Sequence, residues 1–304
     1  MAKIPDRSHI KTEQSNPASA SLDALSVEDA VALFAAENAT VITAVANQNT
    51  AIAQAVRLVA NAFNNDGRLI YVGAGTSGRL GVLDASECPP TFCSDPSQIV
   101  ALIAGGDPAL RHSIENVEDD PIAGQQAIID LYVNQNDVIL GIAAGGTTPY
   151  VHGALIEAHD RNAKTIFLIC TDPAHVQLPP GIPDLFIPIL TGPEILTGST
   201  RLKAGTATKL VLNTITTLAM VQIGKTYGNL MIDIDALKNA KLLDRATRII
   251  TQLTNLSRPD AITLLEKAAG RVKHAIVMHH KKCNLFTADR LLHESAGKLR
   301  RVLQ

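Results

Sequence analysis

The sequence has no tryptophan, and aromatic residues make up only 3% of it. Because single-stranded nucleic acids are usually held on aromatic side chains, this scarcity argues against a platform for bases. The net charge is −2, so we expect no basic surface for nucleic acid or for an anionic membrane. Uninterrupted apolar runs of about 18 residues are also missing, and we therefore expect no membrane-spanning segment and no signal peptide.

Cysteine is scarce as well, and the four cysteines follow no CxxC or Cys/His ligand spacing. We therefore expect free thiols in a reducing compartment, with no disulfide and no metal site. Together with the absence of a signal core, this predicts a cytoplasmic protein.

Hydrophobic residues, in contrast, make up 46% of the chain, enough to bury a substantial core. Short apolar runs alternate with helical patterns, which predicts an α/β fold with a parallel five-stranded sheet flanked by helices. The predicted strands are 69–72, 99–103, 138–142, 165–169 and 185–188. The predicted helices are 30–37, 41–64, 77–87, 109–116, 123–133, 149–160, 200–225 and 236–253.

We predict three parts of the chain. Residues 1–24 are polar and form an N-terminal arm, and residues 25–256 form the α/β domain with its N-terminal helices. Residues 257–304 change to short helical patterns and form a small all-helical domain.

The first motif follows the strand 69–72 and reads Gly-Ala-Gly-Thr-Ser-Gly-Arg over residues 73–79. Backbone N–H groups at such a helix start, with two adjacent hydroxyls, can hold a phosphate group. The candidate phosphate-binding residues are Gly75, Thr76, Ser77, Gly78 and Arg79. The motif also matches the dinucleotide pattern G-x-G-x-x-G. Two observations disfavour that alternative. Pro89-Pro90 are expected to end the helix early, whereas the helix of a dinucleotide site should continue. The acid that binds the ribose should stand at the end of the next strand, but that strand ends near Ile103 and Asp107 comes too late.

Two further loops repeat the combination of small residues, hydroxyls and a helix start. The second offers Gly145, Thr147 and Thr148 before a helix that begins with proline. The third offers Ser199, Thr200 and Lys203. An ordinary glycine turn or helix cap explains each loop alone, but three of them in one sheet indicate a sugar phosphate held by several loops.

Carboxylates complete the candidate site. Glu87 is expected at the end of its helix, where a negative charge is unfavourable, and this favours a functional role. Glu115 and Glu118 are three residues apart and share a helical face, so either could point inward. Glu194 is a further candidate.

The segment from Tyr71 to Thr91 closely resembles the signature of the N-acetylmuramic acid 6-phosphate etherases, bacterial members of the sugar isomerase (SIS) superfamily. The resemblance extends over nearly the whole chain, from Thr12-Glu13 and Asn16-Pro17 to 198–206 and Gly-Asn-Leu-Met at 228–231.

The resemblance implies a cytoplasmic homodimer without metal or other cofactor. Its substrate would be N-acetylmuramic acid 6-phosphate, cleaved to N-acetylglucosamine 6-phosphate and D-lactate. The family's two catalytic glutamates correspond to Glu87 and Glu118. We assign the base role to Glu118 and the acid role to Glu87, which requires a raised pKa and therefore burial of Glu87.

One departure from the family pattern is Gly145, where the family usually has a serine, so one substrate contact is in doubt. Two other functions stay open at this point. One is a phosphosugar isomerase of the same superfamily with Glu194 as its base. The other is a non-catalytic sugar-phosphate sensor like the vertebrate glucokinase regulator, whose chain is much longer and carries a duplicated SIS unit.

Overall fold

The computed structural model describes residues 7–234, 236–237 and 239–304 of the chain. Within them, the main sheet has five parallel strands in the order β2-β1-β3-β4-β5. The strands are β1 (Leu69–Gly73), β2 (Ile99–Ile103), β3 (Val138–Ile142), β4 (Lys164–Ile169) and β5 (Leu185–Pro188). The predicted α/β class with five parallel strands is therefore confirmed.

The register of the sheet aligns the carboxyl ends of its central strands. Gly73 at the end of β1 pairs with Ile103 of β2 and with Ile142 of β3. Loops that follow parallel strands meet at this edge of a sheet, which is where ligands of such folds bind. The register therefore brings the first two candidate loops to one edge.

Helices surround and follow the strands. Helices α1 (Val27–Ala46) and α2 (Asn49–Asn64) precede β1, and α3 (Gly75–Phe92), α4 (Pro108–Arg111), α5 (Pro121–Asp130) and α6 (Pro149–Asp160) lie between strands in the chain. After β5 come α7 (Lys203–Gln222), the hairpin β6 (Thr226–Tyr227) and β7 (Leu230–Met231), then α8 (Ala240–Thr254), α9 (Arg258–Lys267), α10 (Val272–Lys281), α11 (Leu285–Glu294) and α12 (Leu299–Leu303). Short 3₁₀ turns cover Lys11–Glu13, Pro17–Ser19, Leu22–Ala24, Val117–Asp119 and Pro173–His175.

The chain divides into two compact units. The first combines Met1–Ser86 with Ser97–Thr216, and the second combines Glu87–Pro96 with Thr217–Gln304. The core of the first includes the buried strands β1, β3 and β4 and the apolar faces of α5 and α6. The core of the second is formed by the apolar faces of α8 to α12. The second unit thus begins well before residue 257, because α8 packs into the helical core.

The N-terminal helices differ from their predicted limits. The break expected at residues 38–40 is absent, since α1 runs without interruption from Val27 to Ala46. Within it, the Thr40 hydroxyl donates to the carbonyl of Glu37. By length and composition alone, α1 is apolar enough to cross a bilayer, and only 11% of its most apolar stretch is buried. This finding concerns length and composition only, so the expectation of no membrane-spanning segment stays a prediction.

The prediction that Pro89 and Pro90 end the third helix at residue 87 is wrong. Helix α3 continues through both prolines to Phe92. Cys88 and Phe92 are one helical turn apart and both buried, which favours the helical turn despite the lost backbone hydrogen bonds. Glu87 is therefore not a terminal residue, and an early helix end cannot be used against a dinucleotide site.

A buried carboxylate connects α3 to β1 and α7. Asp84 on α3 is 5% exposed and accepts a hydrogen bond from the Tyr71 hydroxyl at 2.7 Å. The Asn213 amide and the Thr216 hydroxyl of α7 also donate to it, at 2.6 and 3.3 Å. Because a buried charge is costly unless it is hydrogen-bonded, these donors fix the position of the helix.

We expect Asp84→Ala to lower the free energy of unfolding by about 3 kcal/mol, because the buried Tyr71 hydroxyl and the half-buried Asn213 amide lose this acceptor. Thr216 contributes less, since its hydroxyl also donates to the Leu212 carbonyl at 3.0 Å. Tyr71→Phe removes one donor and should cost about 1 kcal/mol. Denaturant unfolding measures both, and Asp130→Ala, at an exposed helical aspartate, serves as the control. A loss for Asp84→Ala no larger than for Asp130→Ala would contradict this assignment.

Candidate functional site

The first loop turns directly from strand into helix. Gly75, the first residue of α3, has φ +52°, a conformation that favours glycine. A Cβ on Gly78 would lie 2.6 Å from Ile103 Cγ1 and 2.8 Å from the Gly73 carbonyl oxygen. The helix start can therefore lie against the strand end only without a side chain at residue 78. This places Thr76 and Ser77, both half-buried, in the first turn of α3.

The second loop is held by a histidine. Gly146 has φ +70°, and its carbonyl oxygen lies 2.8 Å from His152 Nε2. Because a carbonyl can only accept, Nε2 carries the proton and donates. Burial lowers the pKa of His152, against the effect of this hydrogen bond, so the ring is neutral near neutral pH. Thr147 and Thr148 then precede Pro149, the first residue of α6, and both are half-buried.

The third loop leads into α7, and Glu194 caps that helix. Glu194 is fully buried, and its two carboxylate oxygens each accept a backbone N–H, from Lys203 and Ala204, both at 2.9 Å. A carboxylate is favourable at a helix N-terminus. Glu194 therefore has a structural role, and both of its oxygens are engaged. Ser199 and Thr200 stand just before the capped helix, half-buried.

The structure brings all three loops together. A Cβ on Gly205 of α7 would lie 3.5 Å from Thr76 Cγ2, so the start of α7, which follows the third loop, lies beside the first loop. The N-terminal segment connects the third loop to the second. The Gly198 N–H donates to the Thr12 carbonyl at 3.2 Å, and a Cβ on Gly145 would lie 4.0 Å from Thr12 Oγ1.

Lys203 is not a free cation in this arrangement. It is 3% exposed, and its Nζ lies 2.7 Å from Glu37 Oε2 of α1. The Asn16 amide donates to the same Glu37 oxygen at 2.8 Å. The Lys203 hydrogen bond lowers the pKa of Glu37, although burial opposes it. Lys203 therefore acts at least in part by attaching the third loop to α1 and to the N-terminal segment.

Glu118 lies beside the first loop. It lines a small cavity of about 80 Å³ together with Gly75, Arg79 and Glu115. Arg79 donates from Nε to the Leu110 carbonyl and from Nη2 to the carbonyl of residue 112, which holds the segment leading to Glu118. The predicted helix 109–116 is shorter than expected and ends at Arg111, and Asn116 has a positive φ of 67°.

Glu118 and the other two acidic candidates, Glu115 and Glu87, are all exposed. Glu115 accepts a hydrogen bond from Ser113 at 3.1 Å and is exposed. Glu87 belongs to the second unit, on the part of α3 that follows Ser86, and its side chain is also exposed. The burial that an acid role requires of Glu87 is therefore not supplied by this chain alone.

Sequence reasoning missed two contributors. Glu37 lies in a helix that carries no motif. Its ion pair with Lys203 joins residues 166 positions apart, so no local sequence pattern could predict it. Thr12 had a signal, since Thr12-Glu13 belongs to the segments that resemble the etherases, but it was not assigned a role.

Comparison with known proteins defines the family. The model of the glucokinase regulatory protein N-terminal SIS domain matches residues 51–159. The N-acetylmuramic acid 6-phosphate etherase of Crocosphaera subtropica is 50% identical over 304 residues, covering 100% of this chain and 98% of that protein. The etherase of Gloeobacter violaceus is 54% identical over 277 residues, covering 91% and 89%. This chain belongs to the N-acetylmuramic acid 6-phosphate etherase family.

Solved structures agree with this family at the level of the fold. A phosphoheptose isomerase from Francisella tularensis is 18% identical to this member of the etherase family, with a TM-score of 0.50. The match covers 65% of this chain and 100% of the isomerase. At this low sequence identity, the similarity shows a shared α/β fold and nothing about function.

The ion pair between Glu37 and Lys203 should make stability sensitive to acid. Because Glu37 has a lower pKa in the folded protein than its ordinary 4.5, its contribution is present above pH 4.5 and is lost as the pH falls through the folded pKa. Wild type and Glu37→Gln should therefore differ in unfolding free energy near neutral pH and converge in acid. Chemical denaturation over a pH series measures this, and a difference that stays constant in acid would contradict it.

Proposed function

We propose that this protein cleaves the D-lactyl ether of N-acetylmuramic acid 6-phosphate with water, giving N-acetylglucosamine 6-phosphate and D-lactate. The observation that carries the proposal is the 50% identity to named etherases over the full length of the chain. The three adjoining loops support it, because their backbone amides and hydroxyls suit a phosphate group.

The proposed reaction is an elimination followed by hydration. Glu118 removes the proton at C2 of the sugar, and the electron pair forms a C2–C3 double bond. The C3–O bond breaks, and Glu87 donates a proton to the departing lactate oxygen. Water then adds to C3 while a proton returns to C2, so the net change is hydrolysis of the ether. The 6-phosphate is held where the three loops adjoin, with the hydroxyls of Ser77, Thr147, Ser199 and Thr200 as donors.

The isomerase alternative lacks support in this chain. It needs Glu194 as a base, whereas both oxygens of Glu194 accept hydrogen bonds from the start of α7. A base must reach the proton that it removes, and a fully buried cap is poorly placed to do so. The sensor alternative is disfavoured by the presence of both Glu87 and Glu118 and by the 50% identity to named etherases.

We also propose that the protein works in the cytoplasm as a homodimer. On α1, Val27, Val31 and Ile42 fall on one face and are 74%, 63% and 61% exposed. An apolar stripe of this kind on a soluble protein is a common sign of an interface. A second copy is the occupant we favour, since a partner subunit could also bury Glu87 and so raise its pKa.

The activity is tested by incubating the protein with N-acetylmuramic acid 6-phosphate and measuring D-lactate. Glu118→Gln should abolish both lactate release and exchange of the C2 proton with deuterium from solvent, because the base is lost. Glu87→Gln should abolish lactate release while exchange continues. The opposite pattern of exchange would reverse the two roles, and no lactate from the wild-type protein would refute the function.

The dimer is tested by Val31→Glu, which places a charge on the apolar stripe of α1. We expect it to shift the protein to a monomer in light scattering after gel filtration, and to reduce lactate release at least tenfold. Phe286→Glu, at an exposed residue of α11, is the matched control and should leave both unchanged. A monomeric wild type with full activity would contradict the proposal.

A further inference from the structure

Thr12 carries a hydroxyl whose environment is unusual for a residue of an N-terminal segment. Its side chain is fully buried, and Oγ1 makes no hydrogen bond to any residue that the structure describes. A buried polar group without a partner costs about 1–3 kcal/mol, so such groups generally have one. The missing partner must therefore come from outside the described residues, and a bound ligand is one group that can supply it.

The position of this hydroxyl points to a ligand. The space where a side chain at residue 145 would stand is bordered by Thr147 Oγ1 at 3.7 Å, Ile10 Cγ2 at 3.9 Å and Thr12 Oγ1 at 4.0 Å. Since Gly145 has no side chain, two hydroxyls border this small space in the second loop. The Thr12 carbonyl meanwhile accepts the Gly198 N–H of the third loop. Thr12 thus lies between two of the three loops proposed to hold the substrate.

We propose that Thr12 is a substrate-binding residue, whose hydroxyl donates a hydrogen bond to a phosphate oxygen held at the second loop. The proposal rests on the 6-phosphorylated substrate of the proposed function. It assigns to the N-terminal segment a contact that Gly145 cannot make. Because Oγ1 is shielded from solvent, the segment must shift slightly as the phosphate enters, while the Thr12 carbonyl keeps its bond to Gly198.

The test is Thr12→Val, which removes the hydroxyl and keeps the shape. The KM for N-acetylmuramic acid 6-phosphate should rise about tenfold, since a hydrogen bond to a charged group is lost, while kcat changes less than twofold. Inhibition by inorganic phosphate should weaken by the same factor. The midpoint of thermal unfolding without ligand should not fall, because the lost hydroxyl bonds to none of the residues that the structure describes.

Two further variants make the result specific to this hydroxyl. Thr12→Ser retains it and should behave like the wild type. Thr171→Val is the matched control, because Thr171 is also fully buried and its Oγ1 has no described partner, while its methyl group faces Gly146. It should leave the KM and phosphate inhibition unchanged.

Several outcomes would overturn the proposal. If Thr12→Val leaves the KM and the inhibition by phosphate unchanged, Thr12 does not bind the substrate. A lower unfolding midpoint in the same variant would indicate that a structural water is the partner of the hydroxyl. Equal losses in Thr12→Ser or Thr171→Val would show that the hydroxyl is not responsible. If the wild type releases no D-lactate, the proposed function fails. Thr12 can then still be tested with inorganic phosphate, which should raise the unfolding midpoint of the wild type more than that of Thr12→Val. Equal shifts in the two proteins would overturn the role of Thr12.

Discussion

The close approach of a helix start to a strand end is the constraint on which this site depends. Helix α3 can begin directly after β1 because residues 73 and 78 have no side chains, and a Cβ at either would overlap backbone atoms. This geometry directs the first-turn N–H groups of α3 to the carboxyl edge of the sheet, where they favour an anion. Asp84 then fixes the same helix against β1 and α7.

The third loop is held at this edge by buried charges, and the second by the hydrogen bond from His152 to the Gly146 carbonyl. Glu194 caps α7 with both carboxylate oxygens, and Lys203, the first residue of that helix, pairs with Glu37 of α1. Each charge is compensated within the protein, which allows these groups to be buried at all. The arrangement leaves hydroxyls and backbone amides as the groups available for a phosphate at the loops.

The sheet could be predicted from sequence because its strands are short apolar runs closed by glycine, aspartate or proline. The first loop could be predicted because its glycines and hydroxyls are contiguous. The course of α3 could not, since the burial of Cys88 and Phe92 outweighs a local rule about proline. Glu37 and the capping role of Glu194 were also beyond sequence reasoning, because each depends on a partner that only the fold brings near. The family resemblance indicated Glu87 and Glu118, but their catalytic roles remain predictions.

A structure of the assembled protein with N-acetylglucosamine 6-phosphate tests the central claim most directly. The account predicts the phosphate between the first loop at Thr76–Gly78, the second at Thr147–Thr148 and the third at Ser199–Thr200. It places the carboxyl groups of Glu87 and Glu118 on the C2–C3 side of the sugar. It also predicts that Glu87 is buried in the assembly. A phosphate bound elsewhere, or either glutamate directed away from the sugar, would contradict it.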